Sequence, residues 1–500
     1  MSGFPWGQMS AELWLCLLGI GLLGLDLALP DRRKHVVGYA ALAGLVVGLV
    51  PASGTCAPPT AHPALFGGLY MADRFQTFFR LFAEVTAILV VLLSLDYLAH
   101  LRVDRGVYFA LIVFGALAMV LLAGSNDLIM IYLSIEFLGI VSYVLAGYLL
   151  GTDKAHLNEI KGSNEAAIKY LIYGAVASAV MLYGFSLLYG LAGSTSLRAV
   201  AVAFATPGAD LLKLVALAMA MVGLGFKISA VPFQQWAPDV YQGAPTPVAA
   251  FLAVGSKGAA FAVLARFLLL GLGGWQAQWA PLLSILAVAS MFTGNLLALL
   301  QSNFKRMLGY SGVAHAGYLL VALVTNGPDL RGVQALLIYL LAYLLMTMGA
   351  FAVVVWYQRA GGSEEIEDFA GLAQREPLMA VALTLFLLAL TGIPPTAGFV
   401  GKLHILLATV TPDYAWLGVV IVVNSVISLY YYWNLARLMW LREPRSRAPL
   451  RASFCAPAVV YVCATLTLLC GLQFGWLWEL TRTPLSEFRA PAPTAVVRSR

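Results

Sequence analysis

The sequence predicts an all-α polytopic membrane protein, one helical bundle of about fourteen transmembrane helices. Three observations carry this. Of 500 residues, 61% are hydrophobic and 11% charged, with a mean hydropathy of +0.85, which leaves too little charge to cover a soluble surface. Apolar blocks long enough to cross a hydrocarbon layer of roughly 30 Å recur along nearly the whole chain. The blocks are continuous rather than alternating with period two, which excludes a transmembrane barrel, and the links are too short to hold a soluble domain.

In chain order the spans fall at about 10–30, 36–50, 74–98, 106–123, 126–150, 164–191, 210–230, 246–271, 280–300, 304–325, 332–357, 377–410, 415–441 and 455–480, followed by a polar tail over 481–500. The opening residues MSGFPWGQMSAELW lack the basic region of a secretory signal, so the first apolar block is expected to stay as a span. The second is short. Two spans are broken by proline: the seventh, which runs through Phe226, Lys227 and Pro232, and the twelfth, through Gly392, Ile393, Pro394 and Pro395 to Lys402. An apolar helix, a proline interruption and one lysine in each half is the pattern of a transporter built from two structural repeats.

Positive charge alternates between the links. Arg32, Arg33, Lys34, Arg102, Arg105, Lys154, Lys161, Lys305, Arg306, Arg359, Arg375 and the group from Arg437 to Arg451 fall on one side. By the positive-inside rule that side faces the cytoplasm, both termini face outward, and the span count is even. The net charge of +6 is thus explained by topology rather than by nucleic-acid binding. The link over 358–376 holds Glu364, Glu365, Glu367 and Asp368 and reads as a solvated cytoplasmic connector. Five cysteines and six histidines, without a CxxC pair or ligand spacing, point away from a metal or redox centre in this chain.

Charges inside the spans are the main functional signal, because each is penalised by a few kcal/mol at membrane depth. Four of nine lysines, Lys169, Lys227, Lys257 and Lys402, lie in apolar sequence. Glu136 sits roughly 12 Å into its span and Lys257 about 15 Å past Pro247, at 1.5 Å per residue. A desolvated lysine gains and loses a proton readily and a neighbouring carboxylate restores its charge, so Glu136 moving towards or away from Lys227 would act as a gate. His315, in YSGVAHAGYLLVAL, is placed to relay a proton between Lys257 and Lys402 or to pack as a neutral ring. Lys169 either snorkels or joins the row. The proline breaks free helix ends that are expected to be hydrated within the protein. Asp239, in the loop after Pro232, reads as structural.

The stretch FKISAVPFQQWAPDVYQGAPTPVAAFLAVGSKGAAFA, with NEAAIKYLIYGAVASAVMLYGFSLLYG before it and SNFKRMLGYSGVAHAGYLL and GIPPTAGFVGK after it, resembles the N-type membrane chains of NADH-quinone oxidoreductase, complex I, equivalent to subunit 2 of mitochondrial and photosynthetic complexes. The resemblance spans about residues 10 to 480. It implies an antiporter-like chain with two inverted five-helix repeats, here approximately 106–271 and 280–441. It implies proton transfer by Glu136, Lys227, Lys257 and Lys402, with His315 and Lys169 as further relays. Related chains carry glutamate at the last position, so Lys402 favours the N type. The resemblance further implies no cofactor here, FMN and iron–sulfur clusters in partner subunits, and quinone as substrate of the whole complex. Membrane-arm and peripheral-arm subunits and lipids would be the partners. The location would be the bacterial cytoplasmic membrane, or a thylakoid membrane in a photosynthetic source. Two other functions stay open on the residues alone: a subunit of a multisubunit cation/proton antiporter, and a non-conducting scaffold.

Overall fold

The structure is a computed structural model and describes residues 5–30, 33–54, 64–101, 104–151, 157–327, 329–445, 450, 454–482 and 488. Most of the 481–500 tail lies outside the described residues. Among them, thirteen helices are long and apolar enough to cross a membrane. Two shorter apolar helices, α16 (Pro377–Thr391) and α17 (Ala397–Ala408), occupy the interval of the expected twelfth span.

The helices begin where the sequence supplies caps. The side chains of Asp73, Asp104, Asp127 and Asn303 accept the free backbone N–H groups at the starts of α3 (Arg74–Tyr97), α4 (Arg105–Gly124), α5 (Leu128–Ala146) and α13 (Phe304–Val324), as short polar residues do at such ends. Before them come α1 (Ser10–Ala28) and α2 (His35–Ala52). Then follow α6 (Leu157–Ala192), a short amphipathic α7 (Leu197–Ala205) that lies between expected spans, α8 (Asp210–Ile228) and α9 (Trp236–Gly243).

The core is the run Thr246–Gly271, whose apolar window is wholly buried, packed near α13 and α14 (Arg331–Arg359), which are almost wholly buried. The run comprises α10 (Thr246–Phe251) and α11 (Lys257–Arg266), separated by a wide π turn at Leu252–Ser256 and followed by another at Phe267–Gly271. By contrast, α1, α2, α18 (Ala415–Leu441) and α19 (Cys455–Leu472) are largely exposed along their windows. The exposed side chains include Leu27, Leu211, Val410, Val419 and Leu441. An apolar exterior around a tightly packed interior is what a lipid solvent selects. The remaining helices are α12 (Gln276–Ala298), the single-turn α15 (Leu372–Arg375) and the short α20 (Gly475–Arg482).

The acidic link over 358–376 departs from a solvated connector. Its backbone pairs with the turn before α13, through Phe304 N–H to Glu364 and Ile366 N–H to Ser302. Glu364 forms an ion pair with the buried Lys305 at 2.6 Å, and Phe369 is fully buried against Phe304 and Tyr357. A buried lysine needs a partner, and the link supplies it. Glu367 and Asp368 turn outward and pair with Arg445.

Candidate functional site: a buried row of lysines and tyrosines

Lys227 sits in the last turn of α8, just before the proline break. It is buried, and its ammonium makes no hydrogen bond among the described residues. Instead it lies over the rings of Tyr143 and Tyr170 at 5.5 Å and of Phe226 at 5.8 Å, within range of cation–π attraction. A Cβ added at Gly139 of α5 would come 3.2 Å from the ammonium, so the glycine leaves it room. Glu136, one turn before Gly139, is half-buried and acts on Lys227 only as a charge at longer range. The close Glu136–Lys227 ion pair that a closed gate requires is not formed in this structure.

Lys257 begins α11 immediately after the π turn and donates to the Gly312 carbonyl of α13 at 2.7 Å. Its ammonium lies 5.8 Å from the Tyr343 ring. His315, one turn along α13 from Gly312, is buried. Its Nδ1 and the Tyr339 hydroxyl share a 2.6 Å hydrogen bond, and its ring lies 5.2 Å from Tyr343 and 5.5 Å from Tyr318. Lys402 lies over that same Tyr318 ring at 4.6 Å. The histidine therefore stands between the two lysines, with one tyrosine shared on each side.

Lys402 is placed differently from Lys227. It follows its proline break, on α17, and reaches back to the end of α16, donating to the carbonyls of Leu390 at 3.2 Å and Thr391 at 2.7 Å. A third bond, 3.2 Å long, goes to the Ser425 hydroxyl. The last carbonyls of a helix lack partners, and here a cation satisfies two of them, as favoured at the negative end of the helix dipole. Gly392, with φ +91, terminates α16 and leaves the space that the Lys402 stem occupies.

Between Lys227 and Lys257 the sequence reading missed the tyrosines. Tyr170 packs on Lys227 and stacks on Trp236 at 4.4 Å. Tyr241 lies within electrostatic range of both Tyr170 and Tyr343. The hydroxyls of Tyr170 and Tyr241, and of Ser256 beside Lys257, are buried and make no hydrogen bond among the described residues. The available signal was the recurrence of tyrosine in otherwise apolar spans, as in NEAAIKYLIYGA and IYLLAYLL.

Lys169 stands apart from this row. It is partly exposed and pairs with Glu165 and Asp239, each at 2.6 Å, while Arg306 holds the other Asp239 oxygen. Burial pushes the Asp239 carboxyl up, but the hydrogen bonds from Lys169 and Arg306 outweigh it and hold the group below its ordinary range. These residues, with Lys305 and Glu364, line an open cleft of about 940 Å³.

Residues 125–428 match the family model described as "NADH:quinone oxidoreductase/Mrp antiporter, TM". The chain is 39% identical over 487 residues to NADH-quinone oxidoreductase subunit N of Desulforamulus reducens, covering 97% of this chain and 99% of the relative. This chain belongs to the NADH-quinone oxidoreductase subunit N family. The same subunit in Heliobacterium modesticaldum is 41% identical over 484 residues, covering 94% and 97%. Among solved structures, a chain of respiratory complex I from Thermus thermophilus superposes with a TM-score of 0.75 at 34% identity, covering 94% of this chain and 98% of that one. A chain of the Mrp complex from Dietzia sp. superposes with a TM-score of 0.85 at 20% identity, covering 98% of each. That second likeness shows the shared antiporter-like fold alone. Membership of the subunit N family makes the chain a membrane-spanning subunit of an enzyme complex.

Proposed function

We propose that this chain is a proton-translocating membrane-arm subunit of an NADH-quinone oxidoreductase, and that it couples quinone reduction elsewhere in the complex to proton movement along its buried lysines. The observation that carries the reading is the continuous row from Lys257 through Tyr343, His315 and Tyr318 to Lys402, in a chain of the subunit N family.

The chemistry follows from the groups. Lys257 and Lys402 each hold a proton on an ammonium whose charge is supported by carbonyl oxygens rather than by a carboxylate. An ammonium so held is stabilised less than one in an ion pair, which favours proton exchange. His315 takes a proton at one ring nitrogen while the other is fixed by Tyr339, so it is poised as the relay. Lys227 and Glu136 form the gate: Lys227 keeps its proton when Glu136 approaches and gives it up when Glu136 withdraws. The breaks flanking Lys227 and Lys402 place one such lysine in each half, 106–271 and 280–441, which we read as the two inverted repeats.

We place flavin mononucleotide and iron–sulfur chemistry in partner subunits, with quinone as substrate of the whole complex. The chain would sit in the bacterial cytoplasmic membrane with both termini outward. The test is Lys257→Met in the intact complex, read by proton uptake into vesicles during NADH oxidation. A fall of at least about tenfold is expected. Wild-type pumping by an assembled Lys257→Met complex would leave the scaffold reading in its place.

A further inference from the structure

Outside the lysine row, a second group of buried charges lies among α1, α2 and α3. Arg80 of α3 holds Glu12 of α1 through two nitrogens, at 2.9 and 2.7 Å, and the Gln8 carbonyl at 2.6 Å. Glu12 also accepts from the Tyr70 hydroxyl and the Gln76 amide, both at 2.6 Å. One helical turn beyond Arg80 lies Glu84, which is completely buried, with neither carboxyl oxygen hydrogen-bonded among the described residues. Its carboxyl is wedged between Trp14 of α1 and α2, where a Cβ at Gly48 would come 3.0 Å from Glu84 Oε1.

We propose that Glu84 is a proton-carrying site, and that it exchanges its proton with Glu12 as the Arg80 guanidinium switches between the two carboxyl groups. In the arrangement here Glu84 is the neutral acid, because a lone carboxylate without hydrogen bonds is not stable in an apolar interior. Arg80 neutralises Glu12. In the switched arrangement Arg80 pairs with the Glu84 carboxylate, which is in reach because residues four apart share a helix face. Glu12 then carries the proton, kept in place by Tyr70 and Gln76. One proton leaves Glu84, one arrives on Glu12, and the three groups together carry no net charge in either arrangement. That neutrality keeps the step accessible in a low-dielectric interior.

At the start of α3, Asp73 pairs with Arg266 of α11 at 2.6 Å, and Gly48 is what α2 presents beside Glu84. The group adjoins the lysine row through α3, since Thr86 packs on Gly255 in the π turn that precedes Lys257. Glu84 lies ten residues into α3, about 15 Å from its start, while Glu12 is two residues into α1. The exchange therefore moves a proton from mid-span towards the helix end. Its part in translocation rests on the function proposed above; the protonation of Glu84 does not.

The experiment compares Glu84→Gln, Glu84→Asp and Glu12→Gln in the intact complex, using pumping per NADH oxidised and turnover-minus-resting infrared difference spectra. Glutamine keeps the shape and neutrality of the protonated acid. A merely packed Glu84 would therefore tolerate it. The proposal expects at least a threefold loss of pumping in Glu84→Gln and Glu12→Gln at unchanged assembly, at least half of the pumping retained in Glu84→Asp, and loss of one protonated-carboxyl C=O band in Glu84→Gln. Wild-type pumping together with an unchanged spectrum overturns it, and a lost band with wild-type pumping overturns the transfer step. Should Glu84→Gln fail to assemble, a shifted carboxyl band in Glu84→Asp supports the site and an unshifted one overturns it. The infrared readout holds whether or not Lys257→Met abolishes pumping, so the two readings fail separately.

Discussion

Lys227 and Lys402 begin as the same device, one lysine beside a proline break, and end in opposite environments. Lys402 lies after its break and reaches back onto two carbonyls at the end of α16. Lys227 lies before its break and rests on aromatic rings, without a hydrogen bond among the described residues. The difference is one of direction along the chain. Lys402, downstream of its break, completes the helix that the proline ended, while Lys227, within the helix before its break, does not do so among the described residues. The second lysine is thus also part of the architecture, and the first is held mainly by packing against aromatic rings.

The comparison can be broken most forcefully at Lys402. Lys402→Met strips partners from the carbonyls of Leu390 and Thr391 and should lower stability by about 2–4 kcal/mol, seen as a lower thermal midpoint of the purified protein. An unchanged midpoint would remove the helix-capping account. The two helix ends offer an intermediate test. Gly392 has φ +91, and a Cβ there would meet the Lys402 stem at 2.7 Å, so Gly392→Ala should cost about 1–3 kcal/mol. Ser229, which ends α8 with φ +60, already carries a Cβ in the left-handed conformation, and Ser229→Gly should be neutral or raise stability by about 0.5 kcal/mol. Equal responses at both ends would mean that the breaks are equivalent after all. The smallest stability change is expected from Lys227→Met, under about 1 kcal/mol, because an unbonded ammonium is replaced by an apolar chain of similar size, although pumping should fall by at least about tenfold. A large stability loss there would show that the aromatic contacts hold α8 in place.

Much of this was legible in the sequence, for physical reasons. Apolar length sets spans, and a lysine within a span is costly enough to stand out, so Lys227, Lys257 and Lys402 could be chosen without a structure. Their surroundings could not. The ring contacts at Lys227 bring together α5, α6 and α8, and nothing local in FKISAVP specifies them. Arg80 and Glu84 are visible in RFQTFFRLFAEV, yet nothing local joins them to Glu12, which is 68 residues earlier than Arg80 in the chain. The acidic link misled for the same reason, since the buried Lys305 that holds Glu364 is distant in sequence.

The π turn at Leu252–Ser256 has a consequence for which changes the core can accept. Such a turn holds one residue more than the α-helical count, and each residue advances an α-helix by about 100°. Removing a single residue there would restore a regular helix and swing Lys257 off Gly312 by roughly that angle, with every apolar neighbour intact. The position of the central lysine is therefore written as a residue count, which makes the segment tolerant of many exchanges of side chain and intolerant of any change in length.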